Sequence, residues 1–139
     1  MTNDRKTRVT PASLGVAVVL MLASLLFLSL GLGGCKATIG YTGTNVDNQL
    51  TGSYELLNGT RSVTIDVDAG KTLLISYNSI VASGELTIRL YDSNHVLVYD
   101  FPTGTPGIKT FNIPLKEKFL LEVNGNDTRG SFNLQWLTN

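Results

Sequence analysis

The chain has 139 residues, 42% of them hydrophobic and 16% charged, with eleven basic side chains balancing eleven acidic ones. That length allows one modest domain and excludes a multidomain machine. After Cys35 eight basic residues face ten acidic, a net charge of −2; this offers no basic field for phosphate backbones and excludes nucleic acid as an expected partner.

The first stretch, residues 1–13, carries Arg5, Lys6 and Arg8 against Asp4. Leu14 to Leu32 then contains no charge at all. A basic n-region followed by an apolar h-region is the pattern of an export signal. As a helix rising 1.5 Å per residue, 14–32 would be about 28 Å long, so a retained transmembrane helix is the alternative reading. Both readings keep the basic end in the cytoplasm and put everything after Cys35 outside. The string Leu32-Gly33-Gly34-Cys35 resembles the lipobox of bacterial lipoproteins: a branched apolar residue, two small residues and the obligate cysteine. The resemblance implies that residues 1–34 are a signal peptide cleaved after Gly34. It also implies that Cys35 becomes the mature N-terminus with a diacylglycerol on its sulfur, anchoring the chain to the membrane. Two or three acyl chains hold stably where one is marginal. Lys36, in the second position, is not the aspartate that resembles an inner-membrane retention signal. With its only cysteine consumed, the remainder can form no disulfide and must fold by packing alone.

Residues 35–52 follow, rich in Gly, Thr and Asn. They predict a lipidated N-terminus on a flexible tether reaching roughly 20 to 25 Å, with Tyr41 or Leu50 placed to pack as an edge strand. From 53 to 139 the hydrophobic period is two. "SYELL" is a first short strand. "SVTIDVD" puts Val63, Ile65 and Val67 on one face and ends in Asp68-Ala69-Gly70, which is turn chemistry. "KTLLISYNSI" alternates Leu73, Ile75 and Tyr77 with polar positions, and "GELTIRLY" alternates Leu86, Ile88 and Leu90 with Thr87, Arg89 and Tyr91. A turn over Asp92 to His95 returns the chain in "VLVYDF", and pairing Tyr91 with Val96 would set Leu90 opposite Leu97 and Ile88 opposite Tyr99. "IKTFNI", "KFLLEVN" and "GSFNLQW" complete eight short strands, with Pro102, Pro106 and Pro114 at strand margins. Eight short strands without helical periodicity predict an all-β, antiparallel two-sheet sandwich, jelly-roll-like, with a closed barrel as the other arrangement.

"AGKTLLIS", "GELTIRLYDSNHVLVY" and "KEKFLLEVNGNDTRGSFNLQW" together resemble the small sandwich domains called bacterial pre-peptidase C-terminal domains, over roughly Arg61 to Trp136. The resemblance implies a sandwich with a binding or accessory role. His95 stands where that hairpin carries glycine.

No catalytic constellation is legible. His95 is the sole histidine, lies in a turn, and has no nucleophile or orienting partner at a suggestive spacing. Asp66 with Asp68, Asp92 with Asn94, and Asn124 with Asn126 and Asp127 have the oxygen density calcium prefers but match no calcium loop, and turn formation accounts for them. Glu55, Glu85, Glu117 and Glu122 form no evident carboxylate pair of the kind glycoside hydrolysis needs. Trp136 shares parity with Phe132 and Leu134 and reads as core. No metal and no cofactor are expected. The candidate contact surface for a ligand or partner is Arg89, Tyr91, Val96 and Val98, an arginine and an aromatic ring beside two valines on the face opposite Ile88. The expectation is a lipid-anchored, non-catalytic binding or accessory module outside the cytoplasm, serving an envelope protein, a glycan or a wall polymer. The alternative is a structural lipoprotein docked into an envelope assembly.

Overall fold

The computed structural model describes residues 37–139, so the apolar segment 14–32, the lipobox and Cys35 lie outside the described residues. Six strands form one antiparallel sheet: β1 (Asn45–Val46), β2 (Gln49–Val67), β3 (Lys71–Tyr91), β4 (Leu97–Phe101), β5 (Gly107–Ile113) and β6 (Glu117–Thr138). The order across the sheet is β1-β2-β6-β3-β4, with β5 also on β3. Among the described residues no helix is long and apolar enough to cross a membrane.

The expected eight separate short strands are corrected to six. "SYELL" and "SVTIDVD" run together as β2, "KTLLISYNSI" and "GELTIRLY" as β3, and "KFLLEVN" and "GSFNLQW" as β6, while β1 is added. The Gly and Asn residues between these pairs read as turns in the sequence. In the structure they are irregularities inside continuous strands, with register shifts between Tyr54 and Gly59 on β2 and between Val81 and Glu85 on β3. Both shifts abut one stretch of β6, from Gly125 to Gly130. Bulges bend and twist a strand without ending it.

Because all three long strands are irregular at the same level, the sheet folds over on itself. Residues 128–138 of β6 pair with 49–57 of β2 on one side and with 71–81 of β3 on the other, and β5 pairs that part of β3; this is the first layer. Residues 59–67 of β2, 117–126 of β6 and 85–91 of β3 form the second layer with β4. Inward side chains of both layers make one hydrophobic core, in which Leu57, Leu73, Ile75, Ile88, Leu90, Leu121, Val123 and Leu134 are fully buried. Trp136 is partly buried and packs against that core. Gly84, at φ 74, and Gly130, at φ 142, make the bend possible. A Cβ on the first would run into the backbone of Asp127, and one on the second into the carbonyl of Ile80.

At the bend Tyr54 and Thr128 bury their hydroxyls. Burial pushes the Tyr54 phenol up, and the neighbouring Thr128 offsets part of that rise. The two oxygens come near each other without reaching hydrogen-bond geometry, and neither has another partner.

Two further expectations change. The segment read as a flexible tether is strand-paired from Ile39 onward: Ile39 bridges Leu56, Thr42 bridges Ser53, and Leu50 is buried. The Tyr41 hydroxyl donates to the Thr51 carbonyl at 3.1 Å, and the Arg61 guanidinium lies 4.6 Å from its ring centre. In the hairpin, Leu90 pairs with Tyr99 and Ile88 with Phe101, while Tyr91 pairs with Leu97. Val98 is thus an extra residue in β4, and the bulge leaves Leu97 exposed instead of facing the core.

Ile88→Ala and Leu121→Ala should each cost about 2 to 5 kcal/mol in a urea titration, and Thr87→Ala, facing outward, well under about 1 kcal/mol. Equal losses at positions 87 and 88 would contradict the inward assignment. Gly130→Ala combines an unfavourable φ with a backbone collision and should cost more than about 2 kcal/mol, against about 1 kcal/mol for Gly70→Ala, whose added Cβ meets open space.

Candidate functional site

β4 and β5 are both edge strands on the same flank of the molecule, one closing the second layer and the other the first. The seam between them is filled by aromatic rings. Tyr99 meets Phe101 edge-on at 4.9 Å and Phe111 at 5.9 Å, and Phe101 meets Tyr77 at 5.2 Å. Lys109 Nζ lies 4.6 Å from the Tyr99 ring centre, closing the seam on the β5 side.

Toward the turn that joins β5 to β6 the seam stays open. There a cleft of about 380 Å³ is lined by Val98, Phe111, Ile113, Pro114, Leu115 and Phe119, with Asp92, Asn112 and Glu117 as its polar members. Its volume is at the lower end of the roughly 300 to 1,000 Å³ usual for ligand sites. Leu115 is 75% exposed on its rim, and Val96, Leu97 and Val98 are exposed on the adjoining chain. Three successive apolar residues are thus exposed beside an apolar cleft, and exposed apolar patches are where proteins meet partners.

The turn beside the cleft is held by Asp92. Its Oδ1 accepts from the N–H groups of Asn94 at 2.9 Å and Val96 at 2.8 Å. This places His95 at φ 64, in the left-handed region, and its ring stacks on Tyr91 with centroids 5.0 Å apart. Ser93 fixes the other wall. Its hydroxyl, and after it its N–H at 3.3 Å, hold the Glu117 carboxyl below the usual glutamate range.

The four residues expected to form the contact surface separate into two groups. Arg89 and Tyr91 lie on the outer face of the second layer, half-buried. Arg89 Nε binds Asp100 Oδ2 at 3.1 Å, and Asp100, then Tyr91, raise the guanidinium pKa, so its charge is already engaged. Val96 immediately precedes β4 and Val98 lies within it, lining the cleft. Cys35 lies outside the described residues. Leu97 and Leu115 escape a reading by alternation: the bulge turns one outward, and the other sits in a turn whose only signal is an apolar residue after Ile113-Pro114.

The outer face of the first layer differs in chemistry. Its central outward positions, Ser76, Asn78, Ile80, Asn133 and Gln135, carry no charge, and Glu55 and Arg129 are exposed toward the bend; Gln49 Nε2 donates to Asn133 Oδ1 across the face at 3.2 Å. The second layer's outer face carries Asp66, Arg89, Asp100, Lys118 and Glu122 instead. Among the described residues no group of three or more His, Cys, Asp or Glu is placed to hold a metal ion.

No protein-family model matches the chain, and no curated protein sequence matches it. Solved structures do. The secreted serine protease VesC of Vibrio cholerae aligns with a TM-score of 0.53 at 14% identity, over 69% of this chain and 22% of that one. PliG of Aeromonas hydrophila, a periplasmic inhibitor of g-type lysozyme, aligns with a TM-score of 0.44 at 17% identity, over 70% of this chain and 89% of that one. The mitogen YPM of Yersinia pseudotuberculosis gives 0.34 at 6% identity, over 58% and 86% of the two chains. This chain thus spans about a fifth of VesC, and what it shares with that protein is a fold.

The Glu117 carboxyl should titrate below the ordinary glutamate value of about 4.3, with the Ser93 amide resonance moving at the same midpoint. A carboxyl whose folded pKa is depressed stabilises the fold above its unfolded pKa and loses that contribution as pH falls through the folded value. Acidification should therefore loosen the Ser93 contact, and Glu117→Gln should remove this part of the pH dependence. A midpoint at or above the ordinary value in a carboxyl NMR titration would contradict the assignment.

Proposed function

We propose that the protein is a lipid-anchored lipoprotein held to the outer side of a bacterial cell membrane through Cys35, and that its β domain is a non-catalytic binding module for an envelope component. The observation that carries the reading is the open apolar cleft between β4 and β5, with Val96, Leu97 and Leu115 exposed around it. Cut at their bends, the strands give eight segments. In chain order, counting from 49–57, they lie 1-8-3-6 in the first layer and 2-7-4-5 in the second, which we read as a jelly roll. In that arrangement β4 and β5 are segments 5 and 6, the neighbours that pass from one layer to the other.

A structural role in an envelope assembly is the second reading. It is favoured by the outer face of the first layer, where Ile80 and Ile108 are 63% and 67% exposed and the central positions Ser76, Asn78, Asn133 and Gln135 carry no charge.

Two measurements test the proposal. Cys35→Ser should leave an unprocessed precursor that incorporates no labelled fatty acid, whereas normal processing and labelling would contradict lipidation. Full-length protein in lipid nanodiscs should bind isolated envelope peptide or glycan fractions saturably. Leu115→Asp should weaken that binding at least tenfold, and Thr64→Asp, on the second layer's outer face, should leave it unchanged. Equal weakening by both, or by neither, would remove the cleft from the function.

A further inference from the structure

Four stretches of outer strand bound the two layers among the described residues, and they are not equally protected. The first half of β2 is covered by the incoming segment, through Ile39 on Leu56, Thr42 on Ser53, and the Thr51 N–H donating to the Thr44 carbonyl at 2.9 Å. The second half of β2 carries Arg61 and Asp66. β5 lies between Pro106 and Pro114 and carries Lys109. Charge, proline, covering segments, short length and bulges are the devices that keep an edge from pairing with another chain. β4 is short, bulged and followed by Pro102, but it has no covering segment: Val96, Leu97 and Val98 are exposed at its entry, and its one charge, Asp100, is paired with Arg89.

The β4 bulge turns Val98 into the cleft, as bulges re-aim side chains elsewhere. An unpaired backbone edge and an apolar hole therefore adjoin. Backbone hydrogen bonds supply affinity in strand addition, and pockets for alternate side chains supply specificity. The charge at the mouth is of one sign: Asp92 and Glu117 line the cleft, and no lysine, arginine or histidine does. That asymmetry selects a cationic neighbour for whatever apolar group enters, and it disfavours a second copy of this edge, which would bring the same carboxylates together.

We propose that the free edge of β4 is a strand-addition site for an extended peptide segment of a partner protein. One apolar side chain of the segment enters the cleft beside Val98 and Leu115, and an adjacent Lys or Arg meets Asp92 and Glu117. The inference rests on the binding-module reading and narrows its ligand to a peptide.

The probe is an array of acetylated octapeptides alternating threonine with a variable residue, either apolar or polar, and flanked by lysine or by glutamate; the protein is the full chain in detergent. Lysine-flanked peptides with an apolar centre should bind at least tenfold more tightly than their glutamate-flanked counterparts. N-methylation of alternate amides on one edge should abolish at least tenfold of that affinity, and so should Val98→Lys at an unchanged melting temperature. Should Val98→Lys lower the melting temperature, Leu115→Lys tests the same cleft from its exposed rim. Indifference to flank charge or to N-methylation would overturn the proposal. So would a dimer in detergent that either variant converts to monomer, since the edge would then belong to a second copy. Saturable binding of wall glycan without peptide binding would overturn the peptide while leaving the binding module standing, and binding of neither would overturn both.

Discussion

The coincidence of irregularities in three strands is the constraint on which the rest of the molecule depends. β2, β3 and β6 are 19, 21 and 22 residues long, far beyond the five or six usual for a strand, and straight strands of that length would leave one apolar face of the sheet in water. Bending all three at one level brings the two halves of that face together, so a sheet becomes its own partner layer. A domain of about a hundred residues without a disulfide needs this economy, because its core must come entirely from packing. The cost is concentrated at the bend, in two glycines at positive φ and in the unpartnered hydroxyls of Tyr54 and Thr128.

The same bend decides where the molecule is open. β6 is central in both layers, β2 flanks it on one side with its first half covered by residues 39–46, and β3 flanks it on the other. Only beyond β3 do two short strands, β4 and β5, end the layers separately, with a turn between them instead of a continuous strand. An aromatic cluster seals most of that flank and stops short at Val98 and Phe111. The cleft is thus what the fold leaves unclosed, with apolar walls continuous with the core.

Much of this was legible in the chain. Period-two alternation placed Ile65, Val67, Leu73, Ile75, Ile88, Leu90 and Leu134 inward, and all are buried; alternation reports burial directly because successive side chains face opposite sides. Strand continuity was not legible, since Asn58-Gly59 or Ser83-Gly84 is the same chemistry whether it makes a turn or a bulge. The hairpin register failed for a related reason: Asp92 accepts from the Val96 N–H and fixes the turn, while one extra residue in β4 exchanges the roles of Leu97 and Val98. The cleft could not be read at all, because its walls come from Asp92, Val98 and 111–119, which only the two-layer topology brings together.

The two outer faces and the open edge differ in chemistry, and a photoreactive residue can tell apart which of them meets a partner in place. The most direct measurement is site-specific photocrosslinking of the full chain in intact cells, with p-benzoylphenylalanine introduced singly at Leu97, Leu115, Ile80 and Thr64. If the β4–β5 edge is the contact surface, positions 97 and 115 should give the same discrete adduct while 80 and 64 give none. An adduct from position 80 alone would move the function to the outer face of the first layer and contradict the open edge as the binding site.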